Sequence, residues 1–192
     1  MLETLFQNFT TQGRRRLAVK DSPSAQLAAR RLRAPTALMQ LSEDDARLIV
    51  SYMEPQQLAA GTLFMEEGQA EDTDYMLLIL EGEVTVENII VSRTTPVTTG
   101  VAGPGSMIGE LGLLDGSPRS ASCTAATDVL CAVLTRKALA ELIQDDPVLG
   151  SKLLLAIGMR ISERLRENTE KLKRYATLTQ TMQQELDRLM PT

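Results

Sequence analysis

From Pro147 no proline interrupts the chain until Pro191, and within that stretch Ile161, Leu165, Asn168, Leu172, Tyr175, Thr179, Met182, Leu186 and Leu189 recur at alternating spacings of four and three residues. A helix over this span is about 65 Å long at ~1.5 Å per residue. A strict four-three stripe is narrower than the apolar face of a helix lying on its own domain and has the period of a coiled-coil seam. The spacing therefore predicts a parallel homodimer, the alternative being a helix packed within its own chain. Asn168 and Thr179 interrupt the apolar seam, and a buried Asn in such a seam fixes register and strand number. Asp146 and Pro147 set the start of the helix, Asp as its N-cap and Pro at its first position.

The preceding sequence has a different period. Between Gln57 and Leu134, short alternating or β-branched runs are separated by glycines and prolines. The strand candidates are Leu58 to Phe64, Tyr75 to Leu80, Glu83 to Val86, Ile89 to Val91, Val97 to Val101 and Ala121 to Leu134, the last reading as a pair. Such spacing predicts an antiparallel roll or barrel. Helices flank it: Ala25 to Arg33, a segment opened by Ser42 and Asp45 and running through Ala46, Leu48, Ile49 and Met53, and a short helix from the Thr135 cap through Ile143. The expected fold is α+β, an antiparallel β-roll of the double-stranded β-helix or jelly-roll type with flanking helices and a long C-terminal coiled-coil helix. Its parts are a basic N-terminal arm with a short helix (1–40), the roll (41–146) and the long dimerisation helix (147–192).

Composition excludes several classes of function. The chain has no histidine and two cysteines, Cys123 and Cys131. That removes the usual general base, the commonest metal ligand and a four-cysteine iron–sulfur cluster. Neither a Ser/His/Asp constellation nor a phosphate-cradling Gly-Lys-Ser loop is present, so nothing supports an enzyme, a metal or a cofactor. The cysteines lie in strand-like sequence and read as small hydrophobes. Without an eighteen-residue apolar run or a secretory signal, a cytoplasmic chain with no membrane span is expected. Charge is uneven: Arg14, Arg15, Arg16, Lys20, Arg30, Arg31 and Arg33 face only Glu3 and Asp21 in the first 40 residues, within a chain of net charge −5. Such an arm is either a polyanion contact or a solvated tail.

One run carries chemistry, Met107 to Ser122. Arg119 is the only Lys or Arg between Arg93 and Arg136, and it stands in glycine-rich, mostly apolar sequence. A guanidinium forks onto the oxygens of a phosphodiester more selectively than an ammonium does. Gly109 lets backbone approach a ligand, and the residues after it can start a helical turn whose N–H groups point at an anion. Glu110 would repel a phosphate, so it suits a hydroxyl donor such as a ribose 2′-OH. Pro118 fixes the approach to Arg119, and Ser120 can add a hydroxyl donor.

Gly109-Glu110-Leu111 followed by Pro118-Arg119-Ser120-Ala121 resembles the phosphate-binding cassette of the cyclic nucleotide-binding domain, shared by bacterial catabolite activator proteins and the regulatory subunits of cyclic AMP-dependent protein kinase. Gly61, Gly68 and Gly82 are similar to the family's turn glycines, and the resemblance covers about residues 41 to 178. It implies a cyclic nucleotide ligand, cyclic AMP before cyclic GMP. In the activator proteins the dimer helix carries two adjacent polar residues against the nucleobase. Asn168 and Thr169 take those positions, departing from the usual Thr-Ser pair. Arg164 resembles a helix arginine that pairs with the cassette glutamate, its alternative being a solvated residue. The resemblance would continue into a DNA-reading winged helix, but the sequence ends at Thr192 without that pattern, so specific DNA binding is not expected. The implied function is a nucleotide sensor signalling through its dimeric helix to an unknown protein partner. A constitutive dimeric scaffold that uses no nucleotide is the alternative.

Overall fold

The computed structural model describes residues 22–38, 40–88 and 97–189. The basic residues before Ser22 and the strand candidate Ile89 to Val91 lie outside them. Helix α1 (Pro23–Leu32) starts two residues ahead of the predicted Ala25, because the Ser22 hydroxyl accepts from the Ala25 N–H and Pro23 occupies the first helical position. It buries Ala28, Ala29 and Leu32. Helix α2 (Glu43–Val50) is capped by Ser42, whose hydroxyl accepts from the Asp45 N–H at 3.1 Å. It ends before the predicted Met53, where the chain turns into the first strand.

Eight antiparallel strands among the described residues form two four-stranded sheets, the architecture expected from the spacing. They are β1 (Glu54–Leu58), β2 (Leu63–Met65), β3 (Tyr75–Glu81), β4 (Val84–Asn88), β5 (Val97–Ala102), β6 (Met107–Ile108), β7 (Ser122–Ala125) and β8 (Val129–Thr135). One sheet has the order β1-β8-β3-β6 and the other β2-β7-β4-β5. The run Leu58 to Phe64, read as one strand, is two: the chain turns through Ala59 to Thr62, and β1 and β2 join different sheets. Strand β6, two residues long, had no signal of its own.

Strand β3 is central, with β8 on one side and β6 on the other, and Met76 to Leu80 are all buried. Leu77 and Ile79 point between the sheets, where they join Leu58, Met65, Val84, Ile108, Cys123, Val129 and Cys131 in one core. Each large apolar side chain buried there contributes about 1.5–3 kcal/mol. Cys123 and Cys131 are free and buried, and burial pushes the Cys131 thiol up to about 11, so it packs as a protonated hydrophobe.

Helix α3 (Glu110–Asp115) follows β6, and α4 (Arg136–Asp145) follows β8 under the Thr135 cap. Helix α5 (Pro147–Leu189) begins where predicted, with the Asp146 carboxylate accepting from the Leu149 N–H at 2.9 Å. Its first turns bury Leu149, Leu153 and Ala156, and the division between the chain's two compact units falls after Ala156, inside the helix. Lys152 donates to both carboxylate oxygens of Asp45, and the Tyr52 hydroxyl donates to Asp145 at 2.8 Å, so polar contacts tie α2 and its C-terminal turn to α5 and α4. From Ile157 to Leu189 the described residues of the second unit are all helical, exposing Leu165, Leu172, Tyr175, Leu178, Met182, Leu186 and Leu189. None of the described helices is long and apolar enough to cross a membrane.

Candidate functional site

Strand β6 delivers the chain to Gly109, whose φ of 85° is left-handed and which serves as N-cap of α3. A Cβ at this position would lie 2.6 Å from Arg119 Nη1 and 3.0 Å from the Tyr75 carbonyl oxygen. At Gly112 a Cβ would meet the Thr73 carbonyl at 2.5 Å and Arg119 Nη1 at 3.1 Å. Both glycines are thus required by close approach, and the group they admit is the Arg119 guanidinium. The sequence marks Gly109 as a point where backbone approaches a ligand; the group it approaches within the chain is Arg119.

Arg119 is held at its backbone and at its guanidinium. Its N–H donates to the Gln69 carbonyl at 2.9 Å and its carbonyl accepts from the Gly68 N–H at 2.8 Å, which locks the segment after Pro118 to the loop between β2 and β3. Its Nη1 donates to the carbonyls of Tyr75 at 3.1 Å and Gly109 at 3.4 Å, and its Nη2 to the Asp72 carbonyl at 3.1 Å. The guanidinium carbon stands 4.4 Å from the centre of the Tyr75 ring. The residue is only 5% exposed. Its Nε–H is buried without a hydrogen-bond partner. Nη1 and Nη2 are thus both engaged by backbone carbonyls, while Nε–H, one of the five guanidinium donors, is not.

Two of these partners carried no sequence signal as site residues. Asp72 is the only non-glycine residue with positive φ among the described residues, at 51°. Tyr75, read only as a strand residue, presents a ring, a carbonyl, and a hydroxyl that donates to the Phe64 carbonyl at 3.1 Å. Burial raises its phenol above the ordinary value, against the opposing charge of Arg119.

The other cassette residues fall around this centre. Glu110 opens α3 and is 4% exposed, so the acid and the base of the cassette are each buried. Leu111, Pro118 and Ser120 are exposed, and the Ser120 carbonyl accepts from the Asn88 amide at 2.7 Å. Helix α3 is closed at its far end by the Gly116 N–H, which donates to the Gly112 carbonyl, and by Arg136, whose Nε and Nη2 donate to the carbonyls of Leu113 and Gly112 at 2.9 and 2.5 Å. Beyond it, the Ser117 N–H and hydroxyl hold the Asp115 carboxyl below its ordinary value. Arg164, Asn168 and Thr169 lie in the second unit at exposed positions of α5. The Thr169 hydroxyl donates to the Leu165 carbonyl at 2.8 Å, leaving its oxygen as an acceptor.

The profile of the cyclic nucleotide-binding domain matches residues 55–146, from β1 to the N-cap of α5. A cyclic nucleotide-binding domain from Methylobacillus flagellatus is 36% identical and superposes with a TM-score of 0.64 over 70% of this chain and 74% of that one. The chain belongs to the cyclic nucleotide-binding domain family. Among other members, the catabolite activator protein of Thermus thermophilus is 27% identical, with a TM-score of 0.60 over 71% of this chain and 61% of that one. A CRP-like cAMP-activated global transcriptional regulator of Mycobacterium tuberculosis is 28% identical over 113 residues, 59% of this chain. The chain spans about half the length of that curated relative, 49%. The cyclic nucleotide-binding profile thus covers the whole cassette, Gly109 to Ser120, together with the Tyr75 and Asp72 carbonyls that hold its arginine.

Proposed function

We propose that the chain is a cyclic nucleotide sensor, a binding module rather than an enzyme, that takes cyclic AMP in preference to cyclic GMP and responds through its dimeric C-terminal helix. The observation that carries this reading is Arg119: a permanently charged group, 5% exposed, with no carboxylate paired to it among the described residues and with its Nε–H left over. Burying a charge without a counter-charge costs several kcal/mol. An arrangement that does so while leaving the Nε–H uncommitted suits a singly charged phosphodiester, whose free oxygens accept charge-assisted hydrogen bonds. Glu110, buried on the first turn of α3, suits the ribose 2′-OH. Asn168 and Thr169 take the nucleobase and Arg164 the cassette glutamate in this reading, on the strength of the resemblance.

The exposed seam of α5 supports a parallel homodimer, since Leu165, Leu172, Tyr175, Met182, Leu186 and Leu189 are each at least 49% exposed. A bound nucleotide would then bias the paired helices and change what a protein partner meets. Calorimetric titration with cyclic AMP, cyclic GMP and cyclic di-GMP tests the ligand. Saturable binding of cyclic AMP, tighter than of the other two, is expected, whereas no heat with any of them would support the constitutive scaffold. Asn168→Leu should tighten the dimer and weaken the nucleotide together.

A further inference from the structure

We propose that Tyr75 is the positioning residue of the cassette arginine: its ring face and its own carbonyl clamp the Arg119 guanidinium so that the Nε–H stays free for the ligand's anion. This rests on the reading of Arg119 as the anion-binding group. Tyr75 meets Arg119 twice, through its backbone carbonyl at 3.1 Å from Nη1 and through its ring at 4.4 Å from the guanidinium carbon. The two contacts constrain different freedoms. The carbonyls of Tyr75, Gly109 and Asp72 fix the guanidinium within its plane, because each lies along an N–H direction. None of the three stops the plane from tilting. A ring face does, since a planar cation over a π face is held against it.

The ring is itself immobilised. Its hydroxyl donates to the Phe64 carbonyl, which ties the ring tip to β2, while its backbone is paired with Thr135 of β8. Tyr75 therefore transmits the rigidity of both sheets to one side chain. The Gly109 backbone approaches the same guanidinium, its carbonyl bonded to Nη1. Asp72, the third acceptor, adopts a backbone conformation that an L residue rarely takes, and its carbonyl accepts from Nη2 in the clamp. With the clamp in place the anion meets a preset fork. Without it the arginine must be ordered at the moment of binding, and that cost appears as lost affinity.

The test is a double-mutant cycle on the full chain with Tyr75→Leu, Tyr75→Phe and Arg119→Ala, using cyclic AMP as the probe in calorimetry. Tyr75→Leu should weaken cyclic AMP by roughly three- to thirtyfold, the range of a cation–π contact between exposed and desolvated sites. Tyr75→Phe, which keeps the face and the carbonyl and loses only the tie to Phe64, should lose less affinity than Tyr75→Leu. In the Arg119→Ala background Tyr75→Leu should have no further effect, since a residue acting through another is fully coupled to it. Equal losses from Tyr75→Leu with and without Arg119 would overturn the proposal and leave Tyr75 a packing residue.

A second readout needs no nucleotide. In the ligand-free protein the Arg119 Nε–H proton resonance should be shifted upfield by the ring in the unsubstituted and Tyr75→Phe proteins and move to the ordinary arginine position in Tyr75→Leu. An unsubstituted protein that binds no cyclic AMP would remove the nucleotide reading. The resonance would then decide the clamp by itself, and an unshifted Arg119 signal would overturn it.

Discussion

The cassette and the far half of α5 depart from the usual inside–outside partition in opposite directions. Around α3 the chain buries Glu110 and Arg119 to 4% and 5% exposure, while along α5 it leaves Leu165, Leu172 and Leu189 at 66%, 68% and 76%. A buried charge is retained where it is met by dipoles and a specific partner, and an exposed apolar row is retained where a matching surface covers it. The first departure rests on close geometry, three carbonyls and a ring around one guanidinium. The second rests on repetition, the same four-three spacing kept over Ile161 to Leu189, and no single residue is decisive. Substitutions should therefore act abruptly in the cassette and cumulatively in the helix.

The sharpest contrast is expected at Arg119. Replacing it by Ala removes the charged partner of a buried phosphate and should weaken cyclic AMP by about 2–5 kcal/mol, measured by calorimetry. An affinity equal to that of the unsubstituted chain would end the assignment of this pocket. Next is Gly109→Ala, where a left-handed backbone and a Cβ 2.6 Å from Arg119 Nη1 combine. A loss of roughly 1–3 kcal/mol of stability is expected from denaturant unfolding. Gly158→Ala, with nothing within 4 Å of its Cβ, should not destabilise the chain.

In the helix the expected effects are shared among positions. Leu172→Asp should weaken a dimer in light scattering and Leu172→Asp with Leu186→Asp abolish it, while the thermal midpoint of the roll stays in place. A full chain that is monomeric at every concentration would remove the seam from the comparison altogether. The smallest effect belongs to the Asp45–Lys152 pair. Burial pushes the Asp45 carboxyl up, but its hydrogen bonds from Lys152 and Ser42 outweigh this and hold it below its ordinary 3.8. A carboxyl depressed in the folded state stabilises above the ordinary carboxylate range, and that contribution is lost as pH falls through the lower folded value. Asp45→Asn should therefore narrow the stability difference between pH 5 and pH 2 slightly, as read from thermal melts.

The roll, its punctuating glycines, the caps at Ser42, Thr135 and Asp146, and the cassette were all legible because each is written in local chemistry. What the sequence hid is carried by the backbone. The acceptors of Arg119 at Tyr75 and Asp72 are carbonyls 44 and 47 residues away, and a carbonyl has no residue code. The division of Leu58 to Phe64 between two sheets was hidden for a related reason. Its turn, Ala59 to Thr62, contains one glycine and no proline, so the apolar residues on either side read as continuous. The start of α1 was legible in Ser22-Pro23, a cap followed by a proline, but the apolar periodicity beginning at Ala25 masked it.

Arg136 bears on a different property, the order in which parts of the molecule open. A helix of six residues is too short to persist in water by its own hydrogen bonds. The last turn of α3 is closed by a side chain from the first residue of α4, so the two segments should open to solvent as one cooperative unit. Amide protection in Leu113 to Gly116 would then follow the fraying of α4 more closely than that of the strand leading into the cassette.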